Sequence, residues 1–301
     1  MLFDSFTYAA IDLYHSMISP FIDNFFMRKA LVAAIAIVFG AVPVGIIVVL
    51  RRMSLVGDAM SHAILPGAAV AFIISGMSML ALTVGGLIAG IAVAFFATYV
   101  SRTTGQKEDI SFASFYLIAL SLGVTLVSTK GSNIDLMHML FGTILSVDNE
   151  SLFLVSAITT ITLVILALIY RPLVIECLDP NFMKAMKVKT SGLYHHVFVI
   201  LMVLNLVSGF RALGTLMAVG LMMLPVAAAR LWAETIGKML LIGISSGLLA
   251  SYSGLLISYH FDIPSGPAII LVAGVIYLLS MLFGLNGGFF SRIYEKKHLK
   301  G

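Results

Sequence analysis

Residues 31–50 read LVAAIAIVFGAVPVGIIVVL, and Arg51 and Arg52 follow at once. This is an uncharged apolar run of about 20 residues, the length that crosses the roughly 30 Å hydrocarbon layer of a bilayer. It is not an isolated case. Residues 110–129, 151–170 and 239–259 are charge-free runs of similar length, and 63–100 and 263–291 are longer still. The 301-residue chain is 60% hydrophobic and 11% charged, against roughly 45–50% and 25% in ordinary soluble domains. These proportions predict an all-α integral membrane protein, a polytopic bundle of 8–9 transmembrane helices.

The runs thread into spans near 30–51, 54–75, 79–100, 111–129, 151–170, 194–209, 212–229, 238–259 and 265–285. The stretch 63–100 must break near Ser75-Gly76-Met77-Ser78, because one straight helix would overshoot the membrane. Residues 136–147 are too few to span and read as a short re-entrant or interfacial segment. The domain plan is therefore an N-terminal amphipathic, interfacial segment (1–27), a transmembrane domain (28–291) and a basic tail (292–301). Residues 1–26 lack a basic start and carry Asp4, Asp12 and Asp23, which does not fit a signal peptide.

Net charge is +4, but the cations are scattered among loops and form no nucleic-acid surface. Arg51, Arg52, Arg102, Lys107, Arg171, Lys184, Lys187, Lys189, Arg230, Lys238, Arg292, Lys296, Lys297 and Lys300 fall in alternate loops. Positive residues mark the cytoplasmic side, so the C-terminus is expected in the cytoplasm. Arg28, Lys29, Lys130 and Arg211 fall on the opposite side. The single cysteine, Cys177, excludes internal disulfides and cysteine-rich metal clusters. The small pairs Gly86/Gly90 and Gly243/Gly247 have the spacing that lets membrane helices approach closely. The 17 methionines are spread along the spans and read as gap-fillers.

Chemistry concentrates just after Arg52. A helix turning back from Met53 carries Asp58 roughly 9 Å and His62 roughly 15 Å into the membrane at 1.5 Å per residue. Four residues apart, they share one helical face. An intramembrane carboxylate costs several kcal/mol unless compensated. Three readings fit: a helix-bracing aspartate paired with a hydroxyl or with His62, an Asp–His proton relay, or a transient divalent-metal site of one anionic oxygen and one imidazole.

The run Gly57-Asp58-Ala59-Met60-Ser61-His62-Ala63-Ile64-Leu65-Pro66-Gly67 resembles the signature of permease subunits of manganese, zinc and iron ABC importers, the binding-protein-dependent divalent-metal transporters. The resemblance continues through Asp135-Leu136-Met137-His138-Met139-Leu140-Phe141-Gly142, Gly214-Thr215-Leu216, Leu224-Pro225-Val226-Ala227-Ala228-Ala229-Arg230 and Asp262-Ile263-Pro264-Ser265-Gly266-Pro267. It covers nearly the whole chain from about residue 28. Leu224 and Val226 depart from the threonine and alanine often found beside that proline. The resemblance implies that Asp58 and His62 handle the metal. It also implies a second permease chain (identical or paralogous), a cytoplasmic ABC ATPase dimer, an extracytoplasmic metal-binding protein and a bacterial cytoplasmic membrane. The cargo would be Mn²⁺, Zn²⁺ or Fe²⁺, with no permanently bound cofactor.

The chain itself is not expected to be an enzyme. Its one Gly-Lys pair, Gly237-Lys238, precedes Met239, and Trp232 stands where a phosphate-binding loop needs its first glycine. Residues 225–238 are predicted to form a short Ala-rich helix between two spans. By resemblance it is the ATPase-coupling element, with Pro225, Ala228, Arg230, Trp232 and Glu234. Residues 172–196, the longest polar loop, are a second contact candidate. Asp135 with His138, and His260 with Asp262, are outer-side candidates for metal or binding-protein contacts. His195 and His196 are candidates for an exit path. Two competing functions remain: a permease for a larger metal chelate (siderophore or corrinoid), and an ion-coupled secondary transporter, which should show internal repeats.

Overall fold

A computed structural model describes residues 17–76, 78–104, 107–129, 147–178, 193–286 and 288–290. Nearly all of them are helical, and no strand occurs among them. The helices are α1 (Ser19–Asp23), α2 (Phe25–Leu50), α3 (Ser54–Ala63), α4 (Leu65–Ser75), α5 (Met79–Thr104) and α6 (Glu108–Thr129). They continue with α7 (Asn149–Leu178), α8 (Leu193–Leu213), α9 (Thr215–Arg230), α10 (Ile236–Phe261) and α11 (Ser265–Phe283). Among the described residues, seven segments are long and apolar enough to cross a membrane, one of them the joined pair α3–α4, with α9 a shorter apolar helix beside them. The polytopic all-α architecture is thus as expected. Residues 1–16, the piece 136–146 with Asp135 and His138, and the tail 292–301 lie outside the described residues.

The core sits around α2 and α8, whose apolar windows are two-thirds buried, whereas less than a third of those of α5, α7 and α11 is buried. Residues such as Phe153, Leu168 and Leu271 point outward with most of their surface free, as lipid-facing positions must. Backbones approach closely where side chains vanish. A Cβ on Gly67 would overlap the carbonyl of Gly85, which draws α4 onto α5. The expected small-residue pair Gly243/Gly247 lies against Val42 and Val38 of α2. Between α2, α7 and α8, Asn205 donates to Thr162 Oγ1 (2.7 Å), and Thr159 donates to the Ala36 carbonyl (2.9 Å).

Boundaries differ from the sequence reading in four places. The span 54–75 is two helices that meet at Ile64. Pro66 has no N–H for the His62 carbonyl, so a continuous ladder is impossible there. The span 151–170 runs on through Pro172 to Leu178, because Leu173 and Glu176 bury themselves against neighbouring helices; the polar loop does not begin at residue 172, and its middle, 179–192, lies outside the described residues. Residues 225–230 form no separate helix but the end of α9; alanines are the best helix formers, and Ala228 and Ala229 are buried. The span 194–209 extends to Leu213 and stops at Gly214, whose φ of 86° only glycine adopts freely. The break foreseen at 75–78 is present, with Gly76 at φ 65°.

Candidate functional site

The helix that carries Asp58 and His62 starts from a tight reversal. Arg52 N–H donates to Val49 O (3.1 Å) and Met53 N–H to Val48 O (3.0 Å). Arg52 takes φ 58°, so the end of α2 is a Schellman cap with an arginine in the left-handed position. The ten-residue α3 follows, packed against α5, α6, α8 and α9. Gly57 faces the terminal methyls of Met222 and Met223 on α9.

Asp58 and His62 do share one face. Nε2 of His62 stands 3.9 Å from Oδ1 of Asp58, with side chains 31% and 64% exposed. The carboxylate has no hydroxyl partner among the described residues: Ser61 Oγ donates to the Asp58 backbone carbonyl instead (2.7 Å). Of the two partners a bracing aspartate could have, a hydroxyl or His62, it is His62 that stands beside it. His62 Nδ1 is buried without a hydrogen-bond partner among the described residues, and the ring lies against Tyr116 of α6 at 6.1 Å between centroids. What this builds is an open pair of donors, one anionic oxygen and one imidazole nitrogen. Among the described residues no cluster of three or more His, Cys, Asp or Glu side chains is placed to hold a metal ion. Two donors alone leave most of a transition metal's coordination positions to water or to another chain.

At one end of the bundle, His260 closes the last turn of α10 and Asp262 follows as its left-handed cap (φ 53°). They line a cavity of about 660 Å³ with Phe26, Met27, Ser258, Tyr259, Ile263 and Pro264. It lies far along the chain from Asp58.

A family model described as the ABC 3 transport family matches residues 23–284. This chain belongs to that family. Among curated relatives, the manganese import system permease protein ScaB of Streptococcus parasanguinis is 35% identical over 268 residues, 88% of this chain and 94% of its own length. The manganese transport system membrane protein MntC of Halalkalibacterium halodurans is 31% identical over 276 residues, 91% of this chain and 93% of that protein. Among solved structures, PsaBC from Streptococcus pneumoniae in complex with Fab aligns with a TM-score of 0.78 at 32% identity, covering 93% of this chain and 100% of that one. The resemblance to this family thus holds, and the protein is a multi-pass membrane protein of the ABC permease type.

In this ABC 3 family member the residues expected at the ATPase contact divide in two. Pro225 and Ala228 are buried within α9, and Ser246 Oγ donates to the Pro225 carbonyl (3.4 Å). Arg230, Trp232 and Glu234 are exposed at its end. The turn they belong to is tied to the chain after α11 by Asn286 N–H donating to Leu231 O (2.8 Å).

Two polar clusters went unnoticed in the sequence. Arg211, at the end of α8, reaches Glu150 Oε2 (3.3 Å) and donates to Thr83 Oγ1 (3.3 Å), joining α8, α7 and α5. Arg51 is the second. The positive-inside rule places it in interfacial water, yet its side chain is 9% exposed and reaches His195, the residue read as an exit-path candidate. The only signal for either was indirect: Arg211 sat on the less basic side without a reason, and Glu176 sat inside an apolar stretch.

Proposed function

We propose that this chain is the permease subunit of an ABC importer that carries a divalent transition-metal ion into the cytoplasm, Mn²⁺ in the first place, past Asp58 and His62. The observation that carries the reading is the exposed carboxylate 3.9 Å from an imidazole on a membrane-spanning helix pair. A charge in that position is tolerated when it faces a water-filled path or a protein interior. An oxygen–imidazole pair suits Mn²⁺, Fe²⁺ and Zn²⁺; the names of ScaB and MntC favour Mn²⁺.

Two donors are few enough to let go, and transport requires release as much as capture. A second permease chain presenting its own Asp58 and His62 across the path would double the set. ATP hydrolysis comes from a separate ATPase dimer, engaged through Arg230, Trp232 and Glu234 at the end of α9 and through the connection between α7 and α8. Pro225 and Ala228 stiffen the lever from within. An extracytoplasmic metal-binding protein delivers the ion at the opposite face, where His260 and Asp262 line their cavity. The excess of cations at the Arg51 end supports a cytoplasmic position for that end and for the C-terminus, in a bacterial cell.

The test is uptake of labelled Mn²⁺, Zn²⁺ and Fe²⁺ in a strain without its own high-affinity systems, expressing the complete gene cluster with this chain intact or as Asp58→Asn. Uptake of Mn²⁺ that vanishes in the variant at equal membrane levels is expected. Uptake retained by Asp58→Asn removes the ligand role. No uptake of any ion with the ATPase present would point to a chelate as cargo.

A further inference from the structure

Arg51 holds the best-buried ionic cluster among the described residues. Its Nε donates to Cys177 Sγ (3.2 Å), Nη1 meets His195 Nδ1, and Nη2 lies 3.7 Å from Glu176 Oε2. The guanidinium also stacks over Phe198 at 5.2 Å. His195 is 1% exposed, and its Nε2 faces Thr98 Oγ1 (3.4 Å) and Glu108 Oε1 (3.9 Å). Five helices meet here: the end of α2, the distal parts of α5 and α7, and the first turns of α6 and α8.

An arginine never accepts a hydrogen bond, so His195 Nδ1 must be the acceptor and the ring proton must sit on Nε2. That directs the Nε2–H toward Thr98 and Glu108. Taking an arginine and a glutamate out of water costs several kcal/mol per ion, and well-packed apolar side chains usually serve stability as well. What the cluster adds is directional. A planar fork that meets a thiol, an imidazole and a carboxylate fixes one orientation of the chain that bears it.

That chain leads straight to the site. Arg51 is the cap residue of α2, Arg52 makes the left-handed reversal, and α3 begins at Ser54. Asp58 follows in the second turn of α3. The partners of Arg51 lie at the two helix ends, Glu176–Cys177 and His195, that border the connection between α7 and α8.

We propose that Arg51 is a positioning residue of transport. Clamped between α7 and α8, it fixes the turn that carries α3 and thereby sets where Asp58 and His62 stand, so that movement of those two helix ends reaches the ion site. The role of Asp58 and His62 in this statement rests on the function proposed above.

The experiment uses the complete complex in liposomes, with the chain intact, as Arg51→Lys and as His195→Asn. Lysine keeps the charge but loses the fork; asparagine keeps an acceptor near Nδ1 but loses the reach to Thr98 and Glu108. Two quantities are read: Mn²⁺ moved per ATP hydrolysed, and hydrogen exchange over residues 54–63 against residues 236–261. The expected result is a roughly tenfold fall in Mn²⁺ per ATP, the size of effect that orienting partners of a metal ligand have. Faster exchange confined to 54–63 should accompany it. Neither quantity depends on how much complex folds. If one variant does not assemble, the other decides. Unchanged exchange over 54–63, or an unchanged ratio with the intact complex active, overturns the proposal. An intact complex that moves no Mn²⁺ overturns the function instead, and exchange over 54–63 still judges Arg51.

Discussion

His62 Nε2 stands 3.9 Å from Asp58 Oδ1, while Nδ1 of the same ring is buried with no hydrogen-bond partner among the described residues. The imidazole is therefore held by packing, with Tyr116 beside it, and by no orienting hydrogen bond. Ligating histidines usually gain basicity from such a bond; in the proposed role His62 would, without it, be the weaker donor that a transfer site needs. The imidazole is also what separates transition metals from hard cations, since oxygen donors alone suit Mg²⁺ and Ca²⁺ as well. His62→Asn should keep a polar side chain yet let millimolar Ca²⁺ or Mg²⁺ compete with Mn²⁺ uptake. A shift of about tenfold in the competing concentration corresponds to about 1.4 kcal/mol. Competition unchanged from the intact chain would show that His62 does not discriminate among cations.

Much of this was legible beforehand, for reasons that differ from residue to residue. The spans could be read because an uncharged run of membrane length has few other uses, and the Asp58–His62 face because helical spacing is fixed. The split at Ile64 was written in Pro66 but is easily masked by the apolar residues around it. Arg51 was misread because its sequence position, at the end of a span, is the same for a solvated cation and for one turned inward. Only the arrival of Glu176, Cys177 and His195 from more than a hundred residues away decides between them. The end of α9 was misread because three alanines suit a separate short helix and a continued one equally well.

Asp148 gives a pH prediction. Its Oδ1 accepts the Ser151 backbone N–H (2.9 Å), capping the first turn of α7. Hydrogen bonding by Ser151 holds the carboxyl below its ordinary value of 3.8, with Arg211 adding to the effect. A depressed folded-state pKa means that the stabilisation is present above the unfolded value and is lost as pH falls through the folded one. Asp148→Ala should cost about 1 kcal/mol near neutral pH, the usual worth of a helix cap. The difference from the intact chain, read from thermal unfolding in detergent, should shrink only below pH 4. A gap that stays constant into that acid range would contradict the capping role.

Gly67 and Gly85 offer a packing prediction with its own control. A Cβ on Gly67 would overlap the Gly85 carbonyl, and one on Gly85 would overlap the Gly67 carbonyl. Backbone cannot move aside as a side-chain tip can, so Gly67→Ala should destabilise the protein by about 1–3 kcal/mol. Gly237, in the first turn of α10, has nothing within 4 Å of the same atom. There the substitution should be neutral or stabilise by up to about 1 kcal/mol, since alanine is the better helix former. Equal melting temperatures for the two variants would mean that α4 and α5 do not approach through these glycines.

Arg52 stands at φ 58° in the reversal between α2 and α3. The left-handed conformation costs an L-residue roughly 1–2 kcal/mol, and glycine relieves it while giving back part of the gain as unfolded-state entropy. Arg52→Gly should therefore raise stability by about 0.5–1 kcal/mol. The cap bonds from Arg52 and Met53 to Val49 and Val48 are backbone bonds, so they survive the change. Loss of the arginine charge is controlled by Arg52→Ala, which removes the same side chain but keeps the strain. The comparison that matters is between these two variants in thermal unfolding. Glycine above alanine locates the strain in the backbone at Arg52; glycine at or below alanine would mean that the reversal is not strained, and that α3 is held in place by the Arg51 clamp and its packing alone.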